Sequence, residues 1–134
     1  MMKALVLGVQ WLIRLLAVVQ VTLGVLFWTG NAYQLLQVHT LSGMALVLAL
    51  WIQAAIAARA GIGFGLPAVA FVWGIVVIAL GMTQATLLPG DLHWLIKVIH
   101  LLVGLAAVGQ AESLAVRTLR RLRDVAPMSA AYSG

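Results

Sequence analysis

Cysteine is absent from this sequence of 134 residues, and charged residues are scarce. Without cysteine the chain forms no disulfide, thiolate metal site, iron–sulfur cluster or covalent c-type haem attachment. Charged residues make up 8% of the chain, whereas an ordinary soluble domain has about 25%. So few charged side chains exclude a water-soluble globule with an ordinary polar surface. The composition therefore predicts a chain that is surrounded by lipid.

Acidic residues are the rarest charged class, with three Asp and Glu against eight Lys and Arg, for a net charge of +5. We do not interpret this excess as a nucleic-acid interface, because the basic residues lie at the ends of apolar stretches. What fills the sequence instead is apolar: 64% of the residues are hydrophobic and the mean hydropathy is +1.12. These values predict an all-α membrane protein.

Four apolar stretches are each longer than the roughly 20 residues that cross a hydrocarbon layer. They cover about 5–28, 32–58, 67–88 and 92–115. We predict a four-helix transmembrane bundle over 1–125 and a loose C-terminal tail over 126–134. The first stretch is too long for a signal peptide and is therefore read as a retained span. Short connections make consecutive helices antiparallel neighbours, and Asn31 and Asp91 are predicted to cap the second and fourth helices.

Basic residues gather at one predicted end of the bundle. They are Lys3, Arg14, Arg59, Arg117, Arg120, Arg121 and Arg123. By the positive-inside rule both termini are then cytoplasmic, and we predict a multi-pass protein of a prokaryotic inner (plasma) membrane. Arg14 is expected to reach the interface, Glu112 to pair with Arg117 or face water, and the segment 117–123 to lie on anionic lipid.

The chain also repeats a short pattern, which predicts two repeated helical hairpins. Leu-Gly stands near the end of the first helix of each half, at Gly24 and at Gly81. A histidine followed four residues later by a glycine stands in each second helix. These pairs are His39 with Gly43 and His100 with Gly104.

The two histidines are predicted to lie at the same depth. Counted from the expected caps, His39 is the eighth residue of its helix and His100 the ninth, and both helices run in the same direction. At about 1.5 Å per residue the two rings should be nearly level. A histidine inside a membrane is costly without a partner or a function. We therefore predict that His39 and His100 are the axial ligands of one haem iron.

Small residues and one lysine complete the predicted site. Gly24, Gly43, Gly81 and Gly104 would leave room for a flat porphyrin. Lys97 lies one turn before His100 and is the predicted partner of the haem propionates. His93 is too near the surface to pair with His39, but it is a candidate contact for a quinone or for a proton path.

Simpler explanations exist for each of these features. Small residues spaced four apart are common where membrane helices pack without a cofactor. A single membrane histidine often makes a hydrogen bond between helices, and Lys97 could reach the interface without binding an anion. The matched depth of the two histidines and the repeated glycine favour haem ligation over these alternatives.

The arrangement resembles the membrane b-type cytochromes, in which four-helix bundles hold haem between histidines of the second and fourth helices. More narrowly, it is similar to one half of haem A synthase, through His39 and His100. Thr40 and Leu101 follow the histidines here, where that family usually has arginine. Leu36 and Lys97 stand where its catalytic half has a glutamate, and its cysteine pair is absent. The resemblance therefore implies a half that holds the cofactor, without hydroxylation chemistry.

We predict a small cytochrome b that carries one haem b for electron transfer and has no independent catalysis. Its expected partners are the lipid bilayer, a quinone, and a membrane redox partner or a second copy of the chain. The alternative is a cofactor-free structural subunit of a larger respiratory or photosynthetic complex. A transporter is less favoured, because the spans lack a carboxylate at mid-membrane and are unbroken.

Overall fold

The computed structural model describes residues 1–131 of the chain, and the side chains of residues 1–125. Four α-helices make up nearly all of this part. They are α1 (Met2–Trp28), α2 (Leu36–Arg59), α3 (Gly65–Thr83) and α4 (His93–Ala131), with a single 3-10 turn (Tyr33–Leu35) before α2. Each α-helix includes a segment that is long and apolar enough to cross a membrane. The predicted all-α architecture of four helices long and apolar enough to span a membrane is confirmed.

Two helix ends differ from the sequence-based boundaries. α3 ends at Thr83, before the expected 88. The chain then passes through a loop in which Leu88 and Gly90 have positive φ angles of 44° and 86°. α4 continues beyond 115 to Ala131. It therefore includes 126–131 of the predicted tail, whereas 132–134 lie outside the described residues.

The predicted cap at Asn31 is wrong. Its side-chain nitrogen donates to the backbone oxygen and the hydroxyl of Thr29, both at 3.2 Å, and so holds the turn that follows α1. The residue that precedes the 3-10 turn is Ala32, in a left-handed conformation with φ of 61°. Asp91 lies two residues before the first residue of α4, where the backbone nitrogen of His93 donates to Gly90.

α2 and α4 form the centre of the bundle. They contact each other, and α1 and α3 each pack against both of them. Alanines fill much of the buried core, namely Ala49, Ala54, Ala57, Ala70, Ala107 and Ala111. Such small side chains allow membrane helices to approach closely. The helices that carry His39 and His100 are therefore direct neighbours.

α3 is fixed to this pair by two tryptophans. The indole nitrogen of Trp51 on α2 donates to the Phe71 carbonyl at 3.1 Å, and that of Trp73 on α3 donates to the Val103 carbonyl at 3.0 Å. Gly74 lies directly under Trp51, and a Cβ atom there would overlap the indole nitrogen. The α2–α3 contact thus depends on the absence of a side chain at Gly74.

The two ends of the bundle are chemically different. The first half of α1 meets the middle of α4, where Gln10 and Arg14 contact Glu112. The α2–α3 turn is at the same end, since a Cβ at Gly61 would lie 3.8 Å from Nε of Arg121. We call this the basic end. The opposite end carries the turn before α2 and the loop before α4, and we call it the histidine end.

Candidate functional site

His39 and His100 face each other near the histidine end. Their ring centroids are 6.3 Å apart and the ring planes differ by 54°. His39 is the fourth residue of α2, or the seventh counted from the start of the 3-10 turn at Tyr33, and His100 is the eighth residue of α4. α2 begins four residues later than predicted and α4 one residue later, but the 3-10 turn before α2 is also only one residue late, at Tyr33. The structure brings the two rings together.

The separation of the rings limits what they can do to each other. A direct hydrogen bond needs nitrogen atoms about 3 Å apart, which would bring the ring centroids closer than 6.3 Å. Two imidazoles that share one metal ion each have a nitrogen about 2 Å from it. In that arrangement the centroids lie on the order of 6 Å apart, which agrees with the observed value. The spacing excludes a direct hydrogen bond between the rings and agrees with an atom shared between them.

Each ring also has a buried nitrogen without a partner. Nδ1 of His39 and Nδ1 of His100 are both inaccessible to water and make no hydrogen bond to the described residues. A buried polar atom that lacks a partner costs about 1–3 kcal/mol. A histidine that binds a metal usually donates its second nitrogen to a carbonyl or carboxylate. Both rings are thus held in apolar surroundings with hydrogen-bonding capacity that the chain leaves unused.

The turn that carries His39 is held from α1. The amide nitrogen of Gln20 donates to the His39 carbonyl at 2.7 Å and to the Ser42 hydroxyl at 2.6 Å. The ring of Phe27 stands edge-on to the His39 ring, with centroids 5.3 Å apart. Two residues of α1 therefore fix the position of the His39 backbone and one face of its ring.

The four predicted glycines have three different environments. A Cβ at Gly81 on α3 would lie 3.4 Å from Cε1 of His100, so this glycine borders the second ring. A Cβ at Gly43 would instead meet the side chain of Gln20 at 3.4–3.6 Å, which places Gly43 against α1. Gly24 and Gly104 have no atom of another element within 4 Å of an added Cβ. Open space therefore adjoins Gly24 and Gly104, as a cradle for a flat group would require.

His93 and Lys97 lie closer to the start of α4. Nδ1 of His93 is 3.1 Å from the Leu87 carbonyl, so this ring is attached to the loop before the helix. Lys97 is partly buried, three residues before His100. Among the described residues, no hydrogen bond joins either side chain to the histidine pair. Their predicted roles toward a propionate, a quinone or a proton path remain predictions.

A second polar cluster joins α1 to α4 at the basic end. Nε of Arg14 lies 2.7 Å from Oε1 of Glu112, and its Nη2 donates to Oε2 at 2.9 Å. Gln10 donates to the same carboxylate at 2.5 Å. The expected pairing of Glu112 with Arg117 is wrong, since Nε of Arg117 donates to the Ser113 hydroxyl. Glu112 remains partly exposed, at 31%. Arg14 is also held by this pair instead of extending alone to the interface.

Gln20, Phe27 and Ser42 were not among the predicted site residues. Polar side chains inside an apolar span are the one signal that could have found Gln20 and Ser42, because each needs a partner in lipid. Phe27 carries no such signal, since an aromatic residue at this position of a span is ordinary. Their contact with His39 depends on how α1 packs against α2.

Metal coordination by protein groups alone is limited at this site. Within the described part of the chain, no group of three or more His, Cys, Asp or Glu converges. An ion between His39 and His100 would therefore take its remaining ligands from a non-protein group. A macrocycle with four nitrogen ligands meets that requirement.

Comparison of the chain with models of protein families, with curated proteins and with solved structures gives no match. The case for a function therefore rests on the geometry of the His39–His100 pair.

Proposed function

We propose that this protein is a small integral membrane cytochrome that holds one haem b between His39 and His100 and transfers electrons. The observation that carries the proposal is the separation of 6.3 Å between two facing imidazoles. The orphaned ring nitrogens and the open space beside Gly24 and Gly104 support it.

The residues present fit a haem better than a bare metal ion. Two histidines supply the two axial ligands of a haem iron, whereas a structural zinc site normally has four protein ligands. When bound, the iron supplies reversible one-electron chemistry. Because both axial positions would be occupied by the chain, electron transfer is favoured over the binding of oxygen.

The chain's own residues would hold and insulate this group. Gln20 and Ser42 fix the helical turn that carries His39, and Gly81 leaves room beside the ring of His100. Lys97 is the residue that we assign to the propionates, since a partly buried cation in a membrane span is favoured by a nearby anion. Apolar side chains and lipid exclude water from the bundle around the rings.

We further propose that the basic end faces the cytoplasm and the histidine end faces outward. The support is the positive-inside rule applied to the cations of the basic end. The proposed location is the inner (plasma) membrane of a prokaryotic cell. Its electron-transfer partners would be a quinone near His93, a membrane redox protein or a second copy of the chain.

The experiment is a reduced-minus-oxidised absorption spectrum of the purified protein, with and without added haem. We expect a sharp α-band in the wild type and its loss in His39→Ala and in His100→Ala. His93→Ala removes the third histidine of the chain and should keep the band. Circular dichroism checks that all three variants remain helical, and added imidazole should restore part of the band in the axial variants.

Two results would contradict the proposal. One is a wild-type protein that binds no haem in either preparation, and the other is a full α-band that survives both axial substitutions. A colourless protein that is stable only together with partner chains would favour the second candidate, a structural subunit of a larger membrane complex.

A further inference from the structure

A groove runs along α4 at the basic end, separate from the histidine pair. Its volume is about 480 Å³, and it is lined by Glu112, Ser113, Val116, Arg117 and Arg120. Small-molecule sites in proteins usually measure about 300–1,000 Å³. The groove is open on one side, so it would hold part of a larger molecule.

The groove has a net positive charge although it includes a carboxylate. Both oxygens of Glu112 are engaged by Arg14, which approaches with two nitrogens, and Oε2 also accepts from Gln10. This is the single ion pair that the structure records among the side chains of residues 1–125. The charges of Arg117 and Arg120 are therefore not compensated within the groove.

Ser113 orients one of these arginines. Its hydroxyl accepts a hydrogen bond from Nε of Arg117 at 3.2 Å. That contact uses the inner nitrogen of the guanidinium group and leaves its two terminal nitrogens available. Terminal guanidinium nitrogens match the spacing of phosphate oxygens, which is why arginine is favoured at phosphate sites.

The surroundings of the groove indicate a lipid rather than a soluble anion. Val116 lines the groove and is 41% exposed, and Trp11 on α1, against which Arg14 stacks at 4.9 Å, is 65% exposed. These apolar side chains lie on helices that are long and apolar enough to cross a membrane. A molecule that fills the groove would thus have an anionic head beside the arginines and an apolar tail beside α1 and α4.

We propose that this groove binds the phosphate headgroup of an anionic phospholipid, with Arg117 and Arg120 as the cationic contacts. The occupant is one lipid at a defined place, which differs from a general attraction of the basic end to anionic membranes. Other cations of the basic end lie outside this groove. They are Lys3, Arg59, Arg121 and Arg123, of which Lys3 and Arg123 line a separate, smaller groove with Leu119.

The test compares two double variants that lose the same charge. The first is Arg117→Gln with Arg120→Gln, in the groove; the second is Arg59→Gln with Arg121→Gln, which are exposed and outside it. Each protein is reconstituted in nanodiscs of phosphatidylcholine with a minority of phosphatidylglycerol. The lipid that stays bound after extraction is then measured by native mass spectrometry.

We expect wild type and the second double variant to retain phosphatidylglycerol preferentially, with at most a small change between them. The groove variant should lose this preference by about tenfold, because both headgroup contacts are removed. If both double variants lost the preference for phosphatidylglycerol equally, the preference would come from the overall positive charge and the proposal would be overturned. No preference in the wild type would do the same. Helix content by circular dichroism confirms that each variant is folded, and neither result depends on haem.

Discussion

Gly104 and Gly109 are two glycines on α4 at different distances from the histidine pair, the first partly buried and the second exposed. Neither has an atom of another element within 4 Å of an added Cβ. If haem lies between His39 and His100, the space beside Gly104 belongs to the macrocycle. The space beside Gly109, nine residues beyond His100, belongs to lipid. Replacing each glycine by a larger residue therefore tests whether the space beside it is needed for haem.

We predict that Gly104→Leu folds but loses most of its haem α-band, whereas Gly109→Leu keeps it. Leucine favours a helix over glycine by nearly 1 kcal/mol, so the free energy of unfolding should not decrease in either variant. Haem content from the absorption spectrum and unfolding in mixed detergent micelles measure the two effects. Equal haem content in the two variants would show that Gly104 does not border the cofactor.

Gln20 acts on His39 through the backbone. Replacing it with leucine removes two interhelical hydrogen bonds, to the His39 carbonyl and to the Ser42 hydroxyl. Single interhelical hydrogen bonds in membranes contribute about 0.6 kcal/mol on average, so we expect Gln20→Leu to lower the free energy of unfolding by about 1 kcal/mol. Gln37→Leu, the same change at an exposed position of α2, should have little effect. Identical unfolding curves for the two variants would contradict a positioning role for Gln20.

For single residues, the sequence could predict that His39 and His100 lie close together, because a histidine in an apolar span needs a partner. It could not predict which side chain would hold the His39 turn. Gln10, Gln20 and Gln53 are all polar residues inside apolar helices, yet Gln53 is fully buried without a hydrogen bond. Their partners are decided by helix rotation, which the apolar pattern does not specify when all faces of a helix are apolar.

Among the elements, the contact between α2 and α3 is the tightest that a single substitution can test. A Cβ at Gly74 would overlap Nε1 of Trp51 and lie 2.8 Å from Cγ1 of Val47. We predict that Gly74→Ala moves the two helices apart and lowers the free energy of unfolding by about 1–3 kcal/mol, as overpacking does elsewhere. Thermal unfolding followed by circular dichroism measures the loss.

The matched control is Gly8→Ala on α1, where an added Cβ meets nothing within 4 Å. There the gain in helix propensity should leave stability equal or slightly higher. Trp51→Phe combined with Gly74→Ala should recover part of the loss, because the smaller ring removes the overlap. Two alanine variants of equal stability would mean that the helices adjust without cost.

The sequence predicts the number of helices correctly, but it predicts their first and last residues less accurately. Four apolar runs separated by glycine and proline predict four spans, and this number does not depend on the direction in which each side chain points. The prediction of a cap at Asn31 was wrong because its side chain bonds to Thr29 in the preceding turn. α3 ended at Thr83, before the loop in which Leu88 and Gly90 have positive φ angles. The 3-10 turn before α2 and the start of α4 are each one residue later than predicted, and the two rings lie close together as expected.

For the whole molecule, the Arg14–Glu112 pair joins the first helix to the last. No local pattern predicts it, because the two residues are 98 positions apart and Arg117 is the nearer cation in sequence. Both side chains are partly exposed, at 42% and 31%. Because the pair is partly exposed, we expect its contribution to stability to be modest.

We predict a coupling free energy of about 1 kcal/mol between Arg14→Gln and Glu112→Gln in a double-mutant cycle, measured by unfolding in mixed micelles. Each single change leaves a charge without its partner at the α1–α4 contact, whereas the double change leaves two neutral amides that can bond to each other. The cycle of Arg117→Gln with Glu112→Gln should show no coupling, since Arg117 bonds to Ser113 instead. Coupling of Glu112 to Arg117 but not to Arg14 would mean that α1 and α4 are joined differently. The net positive charge of the groove, which depends on the engagement of Glu112 by Arg14, would then no longer be explained.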